Sequence, residues 1–350
     1  MKLPNIKDAN IVGKTVFLRA DFNVPLSENL KIEDDTRLVL TLPTVFYLLN
    51  NASEVIIASH LGRPKGKDNN LSLKPIAKWL EKEIKLKAQK DNLQGFEGWK
   101  FADNLFLLEN LRFYNQEEAP STSSGLEFTK RLAALADIYV NDAFGVSHRE
   151  NASIVGVPKF LPHFAGFRLE EEVKVLSELM KDPKRPLVVI VGGAKIETKL
   201  PLIDKMHDFA DYVLVGGKLA SESKILFKLQ HEKRDKVRST LLIGELNETG
   251  DDITDESLNN FLQIVKLAKT VVWNGPLGKV EEKGKSERTR KLAQGIIESG
   301  AYSVVGGGDT LSFLKKEGLL DKFSFYSTGG GAMLAFLSGE KLSGLEALLA

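Results

Sequence analysis

The stretch Pro186-Leu187-Val188-Val189-Ile190-Val191-Gly192-Gly193-Ala194-Lys195, with Lys199 four residues on, sets the fold. A short, unbroken aliphatic run reads as a strand covered on both faces. The paired glycines then turn the chain, and a helix start follows. A second stretch has the same grammar: Tyr302 to Val305 runs into Gly306-Gly307-Gly308-Asp309-Thr310. Helix N-termini present unpaired N–H groups and roughly half a positive charge, so they attract phosphate. Glycine lets a phosphate approach the backbone, lysine neutralises it, and an adjacent Asp can hold Mg2+. The two stretches together predict a nucleotide site.

Outward from these runs, strand-like and helix-period segments alternate along the whole chain. Thr15 to Ala20, Val55 to Ser59, Leu105 to Leu108 and Ile138 to Val140 are predicted strands of the first half. Leu38 to Asn50, Pro75 to Lys87 and Glu127 to Ala136 are predicted helices, the first kinked or shortened by Pro43. Further strands are predicted near Leu187, Tyr212, Thr270, Tyr302 and Phe323. Strands separated by helices imply βαβ units and parallel sheets, with ligands beyond the carboxyl ends of the strands. A joint is expected near Pro158 to Pro162, after which Phe164 to Asp182 reads as one amphipathic helix holding two α/β lobes across a cleft.

Composition narrows the partners. A chain of 350 residues fits two domains. Its formal net charge of +1 gives no global field for nucleic acid or membrane, so local basic clusters must carry anion binding. With no cysteine there is no disulfide framework, thiolate nucleophile or Cys-zinc site. No apolar run approaches the ~20 residues of a membrane span, and the start of the chain lacks a signal-peptide stretch. A cytoplasmic location is expected.

The local clusters are present in the first half. Arg19-Ala20-Asp21-Phe22-Asn23, Ser59-His60-Leu61-Gly62-Arg63, Leu108-Glu109-Asn110-Leu111-Arg112 and Asn141 to Arg149 each follow a predicted strand, and Asp34-Asp35-Thr36-Arg37 opens a helix. Arg37, Arg63, Arg112 and Arg149 therefore lie at or near strand ends. Arginine forks pair with carboxylate and phosphate oxygens, so four converging forks describe a pocket for a small polyanion. Taken singly, each arginine could be a surface charge, His60 a structural histidine, and Asp21 and Asn23 turn formers.

In the second half, Val215-Gly216-Gly217 could admit a flat base against the backbone. Trp273 to Gly278 ends another strand, with Glu281 placed to accept ribose hydroxyls. Ser327 to Ala332 opens a last helix whose N–H groups could face an anion. Gly192 to Lys199 has a lysine but no following hydroxyl, so it is not a P-loop, and no segment is a clean dinucleotide fingerprint. A nicotinamide-dependent dehydrogenase and a silent binding protein remain open on these residues alone.

The ordered set Arg19 to Pro25, Ser59 to Pro64, Glu109 to Phe113, Asn141 to Arg149, Gly192 to Lys199, Trp273 to Gly278, Gly306 to Thr310 and Ser327 to Ala332 closely resembles the phosphoglycerate kinase family, from Ile6 to Leu348. The resemblance implies an α/β fold of two Rossmann-like lobes, each a parallel sheet flanked by helices. It implies a glycerate-binding domain at 1–163, a long interdomain helix at 164–182 and a nucleotide-binding domain at 183–331, with the tail 332–350 returning to the first lobe. It implies reversible transfer between MgATP or MgADP and 3-phosphoglycerate or 1,3-bisphosphoglycerate, in a glycolytic, cytoplasmic, monomeric enzyme without nucleic-acid or membrane partners.

Residue by residue, Asp21, Asn23, Arg37, His60, Arg63, Arg112 and Arg149 match the glycerate-phosphate site. Gly193, Ala194, Lys195 and Lys199 match nucleotide phosphate contacts; Gly216 and Gly217 match the adenine pocket. Asn274, Pro276 and Glu281 match nucleotide and ribose contacts, and Gly308, Asp309 and Thr310 match the phosphate and metal end, with Asp309 on Mg2+. The acceptor carboxylate is already ionised, so no base and no covalent intermediate are needed. Arg37 and Lys195 are expected to neutralise the transferring group, helped by the helix starts at Gly307 and Gly330, after the lobes close. The chain departs from the family pattern in being short, mainly between Leu229 and Asn259, and at Thr254, Lys218, Lys279-Val280 and Ser343.

Overall fold

The computed structural model describes residues 1–193, 203, 205–206, 209–217, 220, 239–282 and 284–350. Ala194, Lys195, Lys199 and Lys218 lie outside the described residues. The chain divides into two compact units, Met1–Val175 with Lys341–Ala350, and Leu176–Glu340.

In the first unit the strands β1 (Thr15–Arg19), β2 (Glu54–Ala58), β3 (Gln89–Leu93), β4 (Phe96–Ala102), β5 (Leu105–Leu108), β6 (Ile138–Asn141) and β7 (His163–Ala165) form one sheet in the order β3-β4-β5-β2-β1-β6-β7. The pairs β5-β2, β2-β1, β1-β6 and β6-β7 are parallel. At the far edge β3-β4 and β4-β5 are antiparallel, so this sheet is mixed rather than purely parallel. The all-buried runs Val16-Phe17-Leu18 and Val55-Ile56-Ile57 explain the central strands.

Helix α1 (Thr36–Asn51) runs through Pro43, against the expected shortening. Pro43 is exposed, while Leu38, Val45 and Leu48 on either side are buried, and that packing offsets the missing hydrogen bond. Helices α2 (Lys74–Ile84) and α3 (Ser123–Ala133) follow. Phe164 is not helical: it pairs with Val140 in β7, and α4 begins only at Phe167 and ends at Lys181. The division between the units falls inside α4.

In the second unit, among the described residues, β8 (Leu187–Val191), β9 (Tyr212–Val215), β10 (Thr240–Ile243), β11 (Thr270–Asn274), β12 (Tyr302–Gly306) and β13 (Phe325–Ser327) lie in the order β10-β9-β8-β11-β12-β13. Every pair is parallel. Counted from β8, this is the doubly wound 3-2-1-4-5-6 order, which reverses between β8 and β11. The parallel part of the first sheet reverses likewise between β1 and β6. Helices α5 (Asp255–Leu267), α6 (Glu287–Glu298), α7 (Gly308–Lys316) and α8 (Gly330–Leu337) accompany the second sheet. The last helical turn, α9 (Ser343–Glu346), belongs to the first unit, where Gly344 N–H donates to Ser147 O at 2.7 Å.

A buried carboxylate starts α4. Asp142 Oδ1 accepts from the N–H groups of Arg168 at 2.8 Å and Leu169 at 3.0 Å, two of the orphan donors of a helix start. A Cβ at Gly166 would fall 2.4 Å from that oxygen, so glycine is required there. Burial pushes the Asp142 carboxyl up from 3.8 to about 6. Between those values the folded chain holds a proton that the unfolded chain releases, so stability falls as pH rises through this window. Asp142→Asn keeps an accepting oxygen and removes the titration. Its stability relative to wild type should therefore rise by roughly 3 kcal/mol from about pH 4 to about pH 7 in denaturant unfolding of the first unit.

Candidate active site

Both sheets carry their predicted site residues past the carboxyl ends of the strands, at the reversals where open α/β sheets bind ligands. In the first unit Arg19 closes β1 and the turn Ala20-Asp21-Phe22-Asn23 follows. Ser59 pins this turn: its Oγ donates to Ala20 O and accepts from Phe22 N–H, both at 2.8 Å. Arg37, in the first turn of α1, reaches back with Nη1 to Asn23 O at 2.9 Å and lies 3.2 Å from Asp21 Oδ2.

Gly62 ties the next two strands to the same place. Its N–H donates to Asn23 Oδ1 at 2.9 Å, and its carbonyl accepts from Arg112 Nη1 at 2.7 Å. It sits at φ +62°, where a Cβ would meet Leu71 at 2.7 Å. Asp21, Asn23, Arg37, Gly62 and Arg112 thus form one hydrogen-bonded group. Arg63 and Arg149 are exposed and make no hydrogen bond or ion pair through their side chains to other described residues. Their guanidiniums still bear on the group electrostatically. Burial, then Arg19, Arg112, Arg37 and Arg149, holds His60 well below its ordinary range. Burial and Arg149, with smaller effects from Arg112 and Arg63 opposed by Asp21, lower His148 to about 4. Both rings are neutral at pH 7, so the positive charge here is entirely arginine.

His148, Arg19, Glu117 and Ser153 received no role from sequence. His148 lies beside Arg149 at the end of the stretch Asn141 to Arg149, and its buried Nδ1 has no hydrogen-bond partner among the described residues. Arg19 was visible as a charge ending the apolar run Thr15 to Arg19, and it is 1% exposed.

In the second unit the glycine turns touch through their backbones. Gly192 N–H donates to Asn274 O at 2.9 Å and Gly193 N–H to Pro276 O at 2.8 Å, closing the reversal between β8 and β11. A Cβ at Gly217 would lie 2.8 Å from Gly193 N, and one at Gly216 2.5 Å from Leu277. Asn274 Nδ2 donates to Gly330 O at 3.1 Å, and a Cβ on Gly330 would sit 3.1 Å from Gly307 Cα. Gly307, at φ +99°, precedes α7, whose first turn carries exposed Asp309 and fully buried Thr310. Thr310 Oγ1 has no hydrogen-bond partner among the described residues. The turns after β8, β9, β11 and β12, with the start of α8, therefore meet in one place. Glu281 does not join them: it is exposed and makes no hydrogen bond or ion pair to other described residues. No group of three or more His, Asp or Glu residues able to hold a metal occurs among the described residues. No helix there is long and apolar enough to cross a membrane.

An arginine pocket on one doubly wound sheet and phosphate-adapted glycine turns on another define an α/β protein that handles small phosphorylated anions. A family profile described as "Phosphoglycerate kinase" matches residues 6–234 and 221–340. The phosphoglycerate kinase of Leptospira biflexa is 38% identical over 396 aligned positions, covering 100% of this chain and 99% of the relative. With only 350 residues here, that alignment leaves gaps opposite extra residues of the relative. The solved phosphoglycerate kinase of Coxiella burnetii is similar at 32% identity and a TM-score of 0.79, covering 99% of each chain. That of Pyrococcus horikoshii gives 27% identity and a TM-score of 0.81, covering 99% of this chain and 98% of the other. The chain belongs to the phosphoglycerate kinase family, and it is a kinase.

At Gly192 the backbone contacts leave no room for a side chain. Gly192→Ala would place a Cβ 2.2 Å from Pro276 O and 2.6 Å from Gly275 O. Calorimetry should show the second unit destabilised by about 3 kcal/mol, with the first unit unchanged.

Proposed function

We propose that this chain transfers a phosphoryl group reversibly between MgATP and the carboxylate of 3-phosphoglycerate. The supporting observation is the hydrogen-bonded group of Asp21, Asn23, Arg37, Gly62 and Arg112, with Arg63 and Arg149 exposed beside it. Such a pocket suits a small molecule carrying a phosphate at one end and a carboxylate at the other. Asn23 and Asp21 fix the orientation of Arg37, and Arg63 and Arg149 offer forks to the ligand phosphate. In the second unit the turns at Gly193, Gly216, Gly217, Asn274 and Pro276 take the nucleotide. Ala194, Lys195 and Lys199 are assigned to its phosphates from the sequence. Glu281 is assigned to the ribose on the sequence resemblance alone.

The exposed carboxylate of Asp309, next to the Thr310 hydroxyl that has no partner among the described residues, fits Mg2+ that arrives on the nucleotide, because Mg2+ keeps its waters and phosphates and takes one or two carboxylates. Bound there, it would neutralise phosphate charge. The N-termini of α7 and α8, at Gly307 and Gly330, add backbone N–H groups for the same oxygens.

The acceptor carboxylate is ionised near neutral pH, so no side chain abstracts a proton. Burial and the neighbouring arginines make His60 and His148 weak bases, which agrees with that requirement. The barrier is repulsion between two anions, and catalysis is positioning and charge stabilisation. Arg37 is assigned to the equatorial oxygens of the moving group. In a coupled assay with 3-phosphoglycerate and MgATP, wild type should turn over and Arg37→Ala should lose about 10³ in kcat. Near-normal turnover of the variant would refute the role.

A further inference from the structure

Beneath the arginine pocket lies a buried polar chain that the contacts above leave unused. It joins Arg19 at the end of β1, Glu117 in the turn Asn115–Glu118, and Ser153 in the π-helical turn Ala152–Gly156. Arg19 is 1% exposed, and Glu117 and Ser153 are fully buried. Arg19 Nε donates to Ser153 Oγ at 2.7 Å, and Nη1 donates to Ala20 O at 2.5 Å. Nη2 lies 3.3 Å from His60 Nδ1 and 3.9 Å from Glu117 Oε1. Ser153 Oγ and N reach Glu117 Oε1 and Oε2 at 2.6 and 3.0 Å. Tyr139 O–H donates to Ser153 O at 2.8 Å and holds the turn in place.

One chemical fact fixes the polarity of this chain: a guanidinium only donates. Ser153 Oγ must accept from Arg19, so its own hydrogen goes to Glu117. At the other end His60 Nδ1 must accept from Nη2, so it carries no hydrogen. The ring is neutral, so its one proton sits on Nε2. The assignment follows from donor inventory, since ring hydrogens are placed by their partners. Stability alone does not account for the arrangement: a buried ion pair is often no better than apolar side chains of the same volume.

We propose that Arg19, itself held by Ser153 and Glu117, is a positioning residue that locks His60 in the Nε2–H tautomer. The ring then offers the substrate an uncharged hydrogen-bond donor among four arginines. It recognises a phosphate or hydroxyl oxygen of the glycerate ligand without adding a further cation to a pocket already crowded with them. The ligand named here rests on the proposed function; the tautomer does not.

Long-range proton–nitrogen correlation spectra of the full chain, labelled with ¹⁵N-histidine, test this. The His60 signals are assigned by their loss in His60→Gln. Wild type at about pH 7 should show an unprotonated Nδ1 and a protonated Nε2. Ser153→Ala removes the acceptor that aims Arg19, and it should show mixed tautomers and about tenfold weaker binding of 3-phosphoglycerate. The KM for MgATP should not change. The volume-matched double variant Arg19→Met/Glu117→Gln removes both buried charges and should give the same loss of tautomer selection. A wild-type ring protonated on Nδ1, or on both nitrogens, overturns the proposal even if no variant folds. An unchanged tautomer in both variants also overturns it. The expected tautomer in a wild-type chain that does not bind 3-phosphoglycerate would overturn the substrate reading alone.

Discussion

Parallel strands force every connection to return across a face of the sheet, and a change in winding direction leaves two neighbouring strands whose exits diverge. That constraint acts twice in this chain, between β1 and β6 and between β8 and β11. At each reversal no connection covers the strand ends, so polar backbone and side chains can face a ligand there. The residues after β1 and β6 are Ala20-Asp21-Phe22-Asn23 and Asp142-Ala143-Phe144. Those after β8 and β11 are Gly192-Gly193 and Gly275-Pro276. The two reversals use opposite materials. Among the described residues, the first is built mainly from charged side chains, the second mainly from bare backbone.

The materials suit the proposed ligands. A small molecule with two anionic groups has little surface, so its recognition rests on charge and direction, which arginine forks supply. A nucleotide presents a flat base and a phosphate chain, which glycine turns admit at close range. Charge in the first pocket is also rationed. Asp21 sits against Arg37 and Glu118 against Arg112, while His60 and His148 stay neutral. Arg63 and Arg149 remain exposed and make no side-chain hydrogen bond to other described residues, which leaves their guanidiniums available to a ligand.

Elements whose fold follows from burial were legible in sequence. The run Leu187 to Val191 is fully buried on both faces, so its aliphatic composition announced a strand without ambiguity. Gly192-Gly193 and Gly306-Gly307 were legible because Gly192 abuts the Pro276 carbonyl, Gly306 abuts Met333, and Gly193 and Gly307 sit at φ +97° and +99°, which favour glycine. The antiparallel edge was not: β3 reads Gln-Lys-Asp-Asn-Leu and is almost wholly exposed, so it carries no apolar signal and forms only by pairing with β4. Phe164 misled because an aromatic residue fits a helix face as well as a strand, and only its pairing with Val140 decides. Within the pocket, motif arginines were legible as charges after strands. Arg19 was not given a role because its partners Glu117 and Ser153 are roughly a hundred residues away in sequence. Glu281 shows the reverse: a resemblance can name a residue that no contact among the described residues yet ties to its neighbours.

The end of β6 shows how closely support and site are joined. Asn141 Oδ1 accepts from Ala143 N–H at 2.9 Å and shapes the turn, and Asp142 caps α4 in the next step of the chain. The same segment then runs through Phe144 and Ser147 to His148 and Arg149, at the arginine pocket. Ser147 O accepts from Gly344 N–H, and Gly344 has space for no Cβ against Ile154 and Ser147. One short stretch therefore anchors the start of α4, the C-terminal turn and an arginine of the pocket. A substitution at buried Asp142 or Ser147 falls on these anchoring contacts directly, because a packed interior absorbs local shifts poorly. The polar cap at Asp142 is the element that makes this junction directional, since a helix start needs an acceptor and the carboxyl end of β6 supplies it at one point.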